Sequence, residues 1–416
     1  MAVSPNDKQI LRGLAAEVGK IASLPVHGEK AELWRKLNQL EPVRPLVWIN
    51  EIPWHEMNAN DELTLRTTDP WARGQEWHLR ALIYQWQHMP GDMIVSDYLA
   101  SPLAIRSTGF GLSEDVDIAR TDEASGVVSR RFHPLIVEPK DVEKIKLPQV
   151  THDQKATEEN YQRMCDVFGD IMPVRKVGIK GSWFAPWDEL IRWWGVQEAM
   201  MDLILRPQMV SDVVSRLVDG YLHQLDEWEK LNLLSLNNDN TRVGSGGYGY
   251  TDELPGKDFD PGRERPKNLW GCATAQIFAE VSPEMHWEFA LKHEMRWLER
   301  WGMNYYGCCE PLHLKMGILR RIPNLRKVSM SPRADAAKGA DELRDRYVYS
   351  CKPNPAILAE DRWRPQQARA ELRGTLEKIR GCRVEIIMKD VSTVRYEPQR
   401  LWEWSRIAME LAEEFA

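Results

Sequence analysis

The stretch SPEMHWEFALKHEMRWLERWGMNYYGCC, residues 282–309, predicts a helix that leads into a buried strand. Ser282 can cap the helix, and Pro283 suits its first position because proline lacks an N–H that the first turn would leave unbonded. The apolar run Met303–Cys308 then has the length and composition of a strand that is buried on both faces. Two adjacent cysteines stand at its end. The same stretch therefore predicts both an element of the fold and candidate functional residues.

Seven further apolar runs of similar length recur along the chain, and helical patterns follow most of them. Pro207–Lys230 shows apolar residues at helical spacing, and Glu397-Pro398 opens the last helix. Strands that alternate with helices are typical of α/β proteins, and eight of them favour a closed (β/α)8 barrel, a TIM barrel. We therefore expect a single domain over residues 1–416. The seven runs are Leu46–Asn50, Met93–Asp97, Lys176–Ser182, Leu233–Asn238, Arg326–Met330, Tyr347–Cys351 and Val384–Lys389.

Three segments lie outside this alternating pattern. Residues 1–43 precede the first run and predict an N-terminal helical extension. Residues 98–150 and 240–270 follow the second and fourth runs, so they start at the carboxyl ends of strands, where barrel enzymes build their sites. The glycine-rich part of the second insertion, GSGGYGYTDELPG (244–256), predicts a mobile lid over a pocket, with a merely flexible loop as the alternative.

Composition restricts the class of protein. The 416 residues are 43% hydrophobic and 28% charged, as in ordinary soluble proteins, and the net charge of -7 argues against nucleic acid or an anionic membrane as a partner. No apolar run is long enough to span a bilayer, and the first residues lack the apolar stretch of a signal peptide. We expect a cytoplasmic protein whose six cysteines stay reduced, either as buried thiols or as ligands.

Five segments, in order, resemble the motifs of the uroporphyrinogen decarboxylase superfamily. They are RPLVWINEIPWHEM (44–57), GDMIVSDYLASPLAIRSTGFG (91–111), GSWFAPWDELIRWW (181–194), the helix–strand unit at 282–309 and YVYSCKPNPAIL (347–358). The third is similar to the family's Gly-x-x-x-Ala-Pro-Trp motif, and the fourth to the helix and strand that lead into His-x-Cys-Gly. The resemblance covers nearly the whole chain after about residue 40. It implies the TIM barrel, a homodimer, and either decarboxylation of uroporphyrinogen or zinc-dependent methyl transfer to a corrinoid protein.

The loop after the first strand separates these two activities. The decarboxylases hold the carboxylates of their substrate with arginines in this loop, because guanidinium matches carboxylate geometry. Here the loop reads NEIPWH (50–55), and Glu51 would repel a polycarboxylate. Asp97 does match the decarboxylases' central aspartate, whereas Trp193, near the position of their active-site tyrosine, lacks the hydroxyl. The resemblance therefore implies the methyltransferase branch.

Cysteines and a glutamate at two strand ends are the candidate zinc ligands. Thiolates are soft ligands that suit Zn²⁺. Cys308, Cys309 and Glu310 stand where the resemblance implies a His-x-Cys pair, and Cys351 ends the run at 347–351. Because side chains alternate along a strand, only one of the adjacent cysteines should face the interior, and its position at the strand end favours Cys309. The alternative is that these residues are buried thiols.

The other candidates are polar and aromatic residues near strand ends. Asp97 is the predicted catalytic acid or base, with a helix cap as the alternative. His55 is predicted to shuttle a proton or bind a ligand, with a surface histidine as the alternative. Aromatic rings frame a pocket for a flat substrate in one interpretation and pack in the core in the other. The predicted substrate-binding residues are Trp48, Glu51, Trp183, Trp187, Trp193, Asn238 and Tyr248.

The residues and the resemblance together predict an enzyme. We expect a zinc-dependent methyltransferase or demethylase that moves a methyl group from a small methylated substrate, such as a methoxylated aromatic, to cobalamin carried by a separate corrinoid protein. Zinc would act as a Lewis acid on the leaving heteroatom. Two alternatives stay open. One is a metal-free decarboxylase of another substrate that uses Asp97, and the other is a non-catalytic, ligand-binding barrel.

Overall fold

Six parallel strands form the main sheet of the computed structural model, which describes residues 3–120, 123, 126 and 128–416. The remaining residues, which fall in the predicted extension at 1–43 and the predicted insertion at 98–150, lie outside the described part. In chain order the strands are β1 (Leu46–Ile49), β2 (Leu99–Pro102), β3 (Ile105–Ser107), β4 (Val116–Ala119), β5 (Ser129–Phe132), β6 (Val150–His152), β7 (Val174–Val177), β8 (Trp270–Ala273), β9 (Met303–Tyr306), β10 (Leu325–Met330), β11 (Val348–Cys351) and β12 (Arg383–Met388). The main sheet has the order β1-β12-β11-β10-β9-β8.

Helices surround these strands in the described part of the chain. They are α1 (Pro5–Ala22), α2 (Val26–Asn38), α3 (Pro70–His88), α4 (Gln154–Phe168), α5 (Pro186–Trp194), α6 (Val196–Leu205), α7 (Pro207–Lys230), α8 (Pro283–His286), α9 (Lys292–Leu298), α10 (Met316–Leu319), α11 (Ala336–Leu343), α12 (Ala356–Ala359), α13 (Pro365–Lys378) and α14 (Gln399–Glu414). A π-helical turn, Trp287–Leu291, joins α8 to α9. Helices α1 and α2 occupy the segment predicted as an N-terminal extension.

Local sequence signals explain several of these boundaries. Helix α7 has the bounds that its periodicity predicts. Ser282 caps α8 as expected, since its hydroxyl accepts a hydrogen bond from the Met285 N–H at 3.3 Å. Strands β9 and β11 are buried along their whole length, as the apolar runs predict, because a parallel sheet is covered on both faces.

Three further segments lie beside the six-stranded sheet without belonging to it. Next to β1, the Asp92 N–H donates to the Val47 carbonyl at 2.6 Å, and β2, which follows, pairs in parallel with β7. Beyond β7, Ile179 forms a parallel bridge with Leu234. The Asn237 side chain then accepts from the Trp270 N–H at 2.9 Å, at the edge strand β8. The structure confirms an α/β fold around a parallel sheet, whereas the closed barrel stays a prediction.

Two of the eight predicted strands are wrong. Residues 93–97 form no strand because side chains occupy their backbone groups: Asn240 Nδ2 donates to the Ile94 carbonyl at 3.0 Å, and the Val95 N–H donates to His27 Nδ1 at 3.4 Å. In the run 233–238 only Leu234 makes a bridge. Conversely, β8 lies at the end of a stretch predicted to be an insertion.

The glycine-rich segment is buried at residues 245–249, against side chains of the sheet, so the prediction of a mobile lid is wrong for this part. A Cβ on Gly246 would lie 2.4 Å from Glu385 Oε1, and one on Gly247 would lie 2.3 Å from the Trp34 ring. Glycine is required because the backbone approaches its neighbours this closely. Buried Lys327 holds the segment through the Tyr248 carbonyl at 3.1 Å and also pairs with Glu385 at 2.9 Å.

The sequence has no apolar run long enough to span a bilayer, and the helices can be compared with this expectation. Among the described residues, none of the helices combines the length and the apolar character that crossing a lipid bilayer requires.

Candidate functional site

A cavity of about 670 Å³ opens where several parallel strands end. Glu51 follows β1, Cys272 lies in β8, Cys308 follows β9 and Lys389 follows β12, and all four line its wall. The carboxyl ends of parallel strands are where α/β proteins bind ligands. We call this space the main cavity. Three predicted site residues border it, namely Glu51, Trp183 and Cys308.

Lys389 is the centre of a charged cluster on this wall. Its ammonium lies 3.4 Å from Cys308 Sγ, 2.7 Å from Asp390 Oδ2 and 3.5 Å from Glu51 Oε2. The side chain is only 5% exposed, so it is held in place by these contacts. Such a buried cation is stable only where anionic groups surround it.

The adjacent cysteines differ in their environment. Cys308 lines the main cavity, whereas Cys309 lies beside Asp390, with 3.5 Å between Sγ and Oδ2. The two sulfur atoms are 3.5 Å apart. The hydrogen bond from Cys309 lowers the pKa of Cys308, and the charge of Lys389 lowers it further, against an opposing effect of burial. The same hydrogen bond and burial raise the pKa of Cys309. Cys308, rather than the favoured Cys309, is therefore the thiol suited to chemistry in the cavity.

Backbone strain is concentrated at two of these positions. Glu51 and Asp390 both have left-handed backbones, with φ of 55° and 56°, and they follow the neighbouring strands β1 and β12. This conformation costs roughly 1–2 kcal/mol for a residue other than glycine. The two residues support each other, because the Asp390 N–H donates to Glu51 Oε2 at 3.3 Å, and Arg242 pairs with Glu51 at 2.7 Å. Strain that is kept in this way is typical of functional sites.

Glu310 is directed away from the sulfur atoms. One of its oxygens accepts from the Thr274 hydroxyl at 2.7 Å and the Ala275 N–H at 3.1 Å, and the other accepts from the Cys308 N–H at 2.6 Å. The carboxylate is fully buried. Glu310 therefore fixes the turn that carries Cys308, and it is not among the residues that line the main cavity.

Cys351 lies in a different place from the other predicted zinc ligands. It borders a second cavity, of about 340 Å³, together with Tyr349 and Trp404. Burial raises the pKa of its thiol to about 12. Among the described residues, no group of three or more histidine, cysteine, aspartate or glutamate side chains is arranged to hold a metal. The predicted donor set of Cys308, Cys309, Glu310 and Cys351 does not fit a zinc ion.

The predicted aromatic residues are divided between the cavity and the core. The Trp183 ring is 42% exposed and borders the main cavity. Trp187 and Trp193 are buried among the helices, and the Trp187 indole N–H donates to the Phe289 carbonyl at 2.9 Å. Trp48 packs on Tyr248, with 4.6 Å between ring centroids. Core packing, the alternative interpretation, therefore holds for all of the predicted aromatic residues except Trp183.

The remaining predicted residues lie elsewhere. Asn238 donates to the Leu254 carbonyl at 3.0 Å, and its neighbour Asn237 is the one that borders the main cavity. Asp97 is exposed, 3.7 Å from Arg175, and borders a separate cavity of about 640 Å³. His55 lies 3.6 Å from the buried Glu56 carboxylate. The structure therefore places neither predicted catalytic residue on the wall of the main cavity.

The sequence does not single out Arg242 and Lys180. Lys389 carried a usable signal, since it directly follows the apolar run of β12. Lys180 likewise follows the β7 segment, and it donates to Asp239 at 2.5 Å. Arg242 carried no such signal, because only the path of the glycine-rich segment brings it to Glu51.

A row of hydrogen-bonded polar side chains lies apart from the main cavity, between β9 and the helical segment 283–298. The Lys315 ammonium donates to His286 Nδ1 at 3.1 Å, His286 Nε2 lies 2.7 Å from the Tyr306 hydroxyl, and that hydroxyl donates to Glu294 Oε2 at 2.9 Å. Because an ammonium only donates, Nε2 of His286 must carry the proton. Burial raises the pKa of Glu294 to about 8 and lowers that of His286 to about 3.

Comparisons with known proteins bear on the fold. No protein-family model matches the chain, and no curated protein matches its sequence significantly. Solved structures do match, among them a methyltransferase from Methanosarcina mazei that is 12% identical in sequence. The match covers 93% of this chain and 98% of that chain, with a TM-score of 0.52. At this identity the likeness shows a shared fold.

Proposed function

We propose that this chain is a methyltransferase that takes a methyl group from a small O-, N- or S-methylated molecule in the main cavity and passes it to the corrinoid of a partner protein. The observation that carries this proposal is the cluster of Cys308, Lys389, Asp390 and Glu51 on a cavity at the strand ends. The fold-level likeness to a methyltransferase supports it. We further propose that the main sheet closes into a barrel of the TIM type through the segments beside it, and that the protein is a homodimer.

The size of the cavity favours a small substrate. A space of about 670 Å³ suits a molecule the size of a methoxylated aromatic, and Trp183 offers an indole face to a flat ring. A corrin macrocycle is too large to enter with a substrate present. The methyl acceptor would have to be presented at the mouth, which agrees with a corrinoid carried by another protein.

The charged groups of the wall supply the chemistry of the proposed reaction. Breaking a bond between a methyl carbon and a heteroatom leaves negative charge on the heteroatom, and a fixed cation close to it lowers the barrier. Lys389 is such a cation, and it is fixed by Asp390 at 2.7 Å. Because the predicted ligands do not fit zinc, no step is assigned to a metal.

Methyl transfer to free cob(I)alamin tests the proposal. Purified protein is mixed with chemically reduced cobalamin and, in turn, methanol, methylamines, dimethyl sulfide and methoxybenzenes, and methylcobalamin is measured by absorbance and mass spectrometry. We expect methylcobalamin to form with one class, and Lys389→Met to lower its rate by about a hundredfold or more, as the loss of one strong electrostatic contact does. Cys382→Ser, a change at a half-buried thiol bonded to the Ala340 carbonyl, is the matched control.

The opposite results would reject the function. If no methylated class reacts with the folded protein, or if Lys389→Met reacts as fast as Cys382→Ser, the main cavity is not a methyl-transfer site. Release of carbon dioxide from a carboxylated substrate in the same protein would favour the decarboxylase instead.

A further inference from the structure

Donor atoms of the kinds that bind zinc do gather at the main cavity, but the three that line it surround an ammonium group. Cys308 Sγ, Asp390 Oδ2 and Glu51 Oε2 lie 3.4 Å, 2.7 Å and 3.5 Å from Lys389 Nζ. Cys309 Sγ completes the group, at 3.5 Å from both Cys308 Sγ and Asp390 Oδ2. Two thiols and two carboxylates are donors of the kinds that bind divalent ions, but as they stand the described residues form no group that could hold one.

The position of the ammonium decides what this set can hold. Zinc needs its donors at about 2.0–2.3 Å. Three of the donors lie 2.7–3.5 Å from Nζ. A dication among them would sit against a positive charge with little water between the two, because Lys389 is 5% exposed. If the lysine side chain swung away, Asp390 and Cys308 would lose their cation, and Glu51 would keep only its pairing with Arg242.

We propose that Lys389 is the resident cation of this site, standing where a divalent metal would have to bind, and that the four donors take up a metal only when the ammonium is removed. The site then works without a metal. On the proposed function, on which this last step rests, the Lys389 ammonium is the group that meets the departing heteroatom of the substrate.

Cobalt(II) is the probe, because its ligation by thiolates gives an intense near-ultraviolet band. We expect no such band with the wild-type protein. Lys389→Met keeps the length of the side chain and removes its charge, so this variant should show the band, with cobalt bound on the order of a hundredfold more tightly than by wild type. Adding Cys308→Ser to Lys389→Met should abolish it. Lys389→Ala gives the same readout should methionine disturb the packing.

Two further variants separate charge from shape. Lys389→Arg keeps a cation at the site and should stay without the band. Lys180→Met removes a lysine of the same cavity whose partner is Asp239, and it should also stay without the band. These measurements need no enzyme activity, so they can succeed or fail independently of methyl transfer.

The inference is overturned by either of two results. One is a wild-type protein that binds cobalt(II) or zinc stoichiometrically through Cys308. The other is a Lys389→Met and Lys389→Ala pair that folds, as judged by circular dichroism, and still binds no cobalt.

Discussion

Replacing Glu294 by glutamine should remove a large part of the pH dependence of stability. The pKa of this buried carboxyl is about 8 in the folded protein, against 4.5 for the ordinary side chain. Between these values the folded state keeps a proton that the unfolded chain loses. The free energy of unfolding therefore falls as the pH rises through this window. Glutamine keeps the shape and still accepts from Tyr306, but it has no proton to lose.

The magnitude follows from the width of the window. Each pH unit between the two pKa values is worth about 1.4 kcal/mol, so wild type should lose about 3 kcal/mol relative to Glu294→Gln from pH 5.5 to 7.5. Lys315 is linked to Glu294 by hydrogen bonds through His286 and Tyr306, and burial lowers its pKa to about 8. Its contribution changes only above pH 8, which lies outside this range. His286 is present in both proteins, so its titration cancels in the comparison.

Urea unfolding followed by tryptophan fluorescence at pH 5.5, 6.5 and 7.5 measures the difference, because a shift of the midpoint at constant slope reports a change of stability. Glu288→Gln is the matched control, since Glu288 is half-exposed on the same helix and pairs with Lys292. It should change the pH dependence little. If the free energy of unfolding of wild type minus that of Glu294→Gln stays constant or rises as the pH rises, Glu294 is ionised in the folded protein.

Other expectations concern the cavity thiol and the glycines. Iodoacetamide should modify Cys308 at lower pH than Cys382, because the pKa of the Cys308 thiol is lowered and burial raises the pKa of Cys382 to about 11. Peptide mass spectrometry measures the modification of both thiols. Equal reactivity of the two at each pH would contradict this expectation. Gly246→Ala should lower stability by roughly 1–3 kcal/mol, because its Cβ would meet Glu385 Oε1 at 2.4 Å. Gly374→Ala, in α13 with no atom within 4 Å of the new Cβ, should raise stability by about 0.5–1 kcal/mol. Thermal melts that rank these two variants the other way round would contradict the packing.

The sequence predicts those parts of the fold that local signals determine. Pro207–Lys230 has the periodicity and the early proline of a helix, and α7 has these bounds. The alternation of apolar runs and helices predicts the parallel sheet. Residues 93–97 look like a strand, but distant side chains of His27 and Asn240 bind their backbone, and no local pattern reveals this. The sequence does not predict strand β8, because WGCA (270–273) lacks β-branched residues. Gly271 leaves the space that the Trp301 ring occupies, since a Cβ there would lie 2.2 Å from the ring.

The candidate site was predicted in part, and the error has a physical cause. The alternation of side chains along a strand, extended to residues 308 and 309, favours Cys309 over Cys308. Strand β9 ends at Tyr306, and Gly307 then takes a left-handed φ of 98°, which breaks the alternation before the cysteines. Lys389 could be recognised as a residue at a strand end, but its partners Glu51 and Cys308 come from distant parts of the chain, so only the fold shows the cluster.

The buried course of residues 245–249 has a consequence for proteolysis. A segment with this composition is usually the first that a protease cuts. Here Tyr248, a good chymotrypsin target, is almost fully enclosed, and Lys327 and Asn38 both bond its carbonyl. Exposing this peptide bond would break both hydrogen bonds and the packing of the segment on Trp34 and Glu385. We therefore expect cleavage after Tyr248 to be as slow as unfolding of the whole chain.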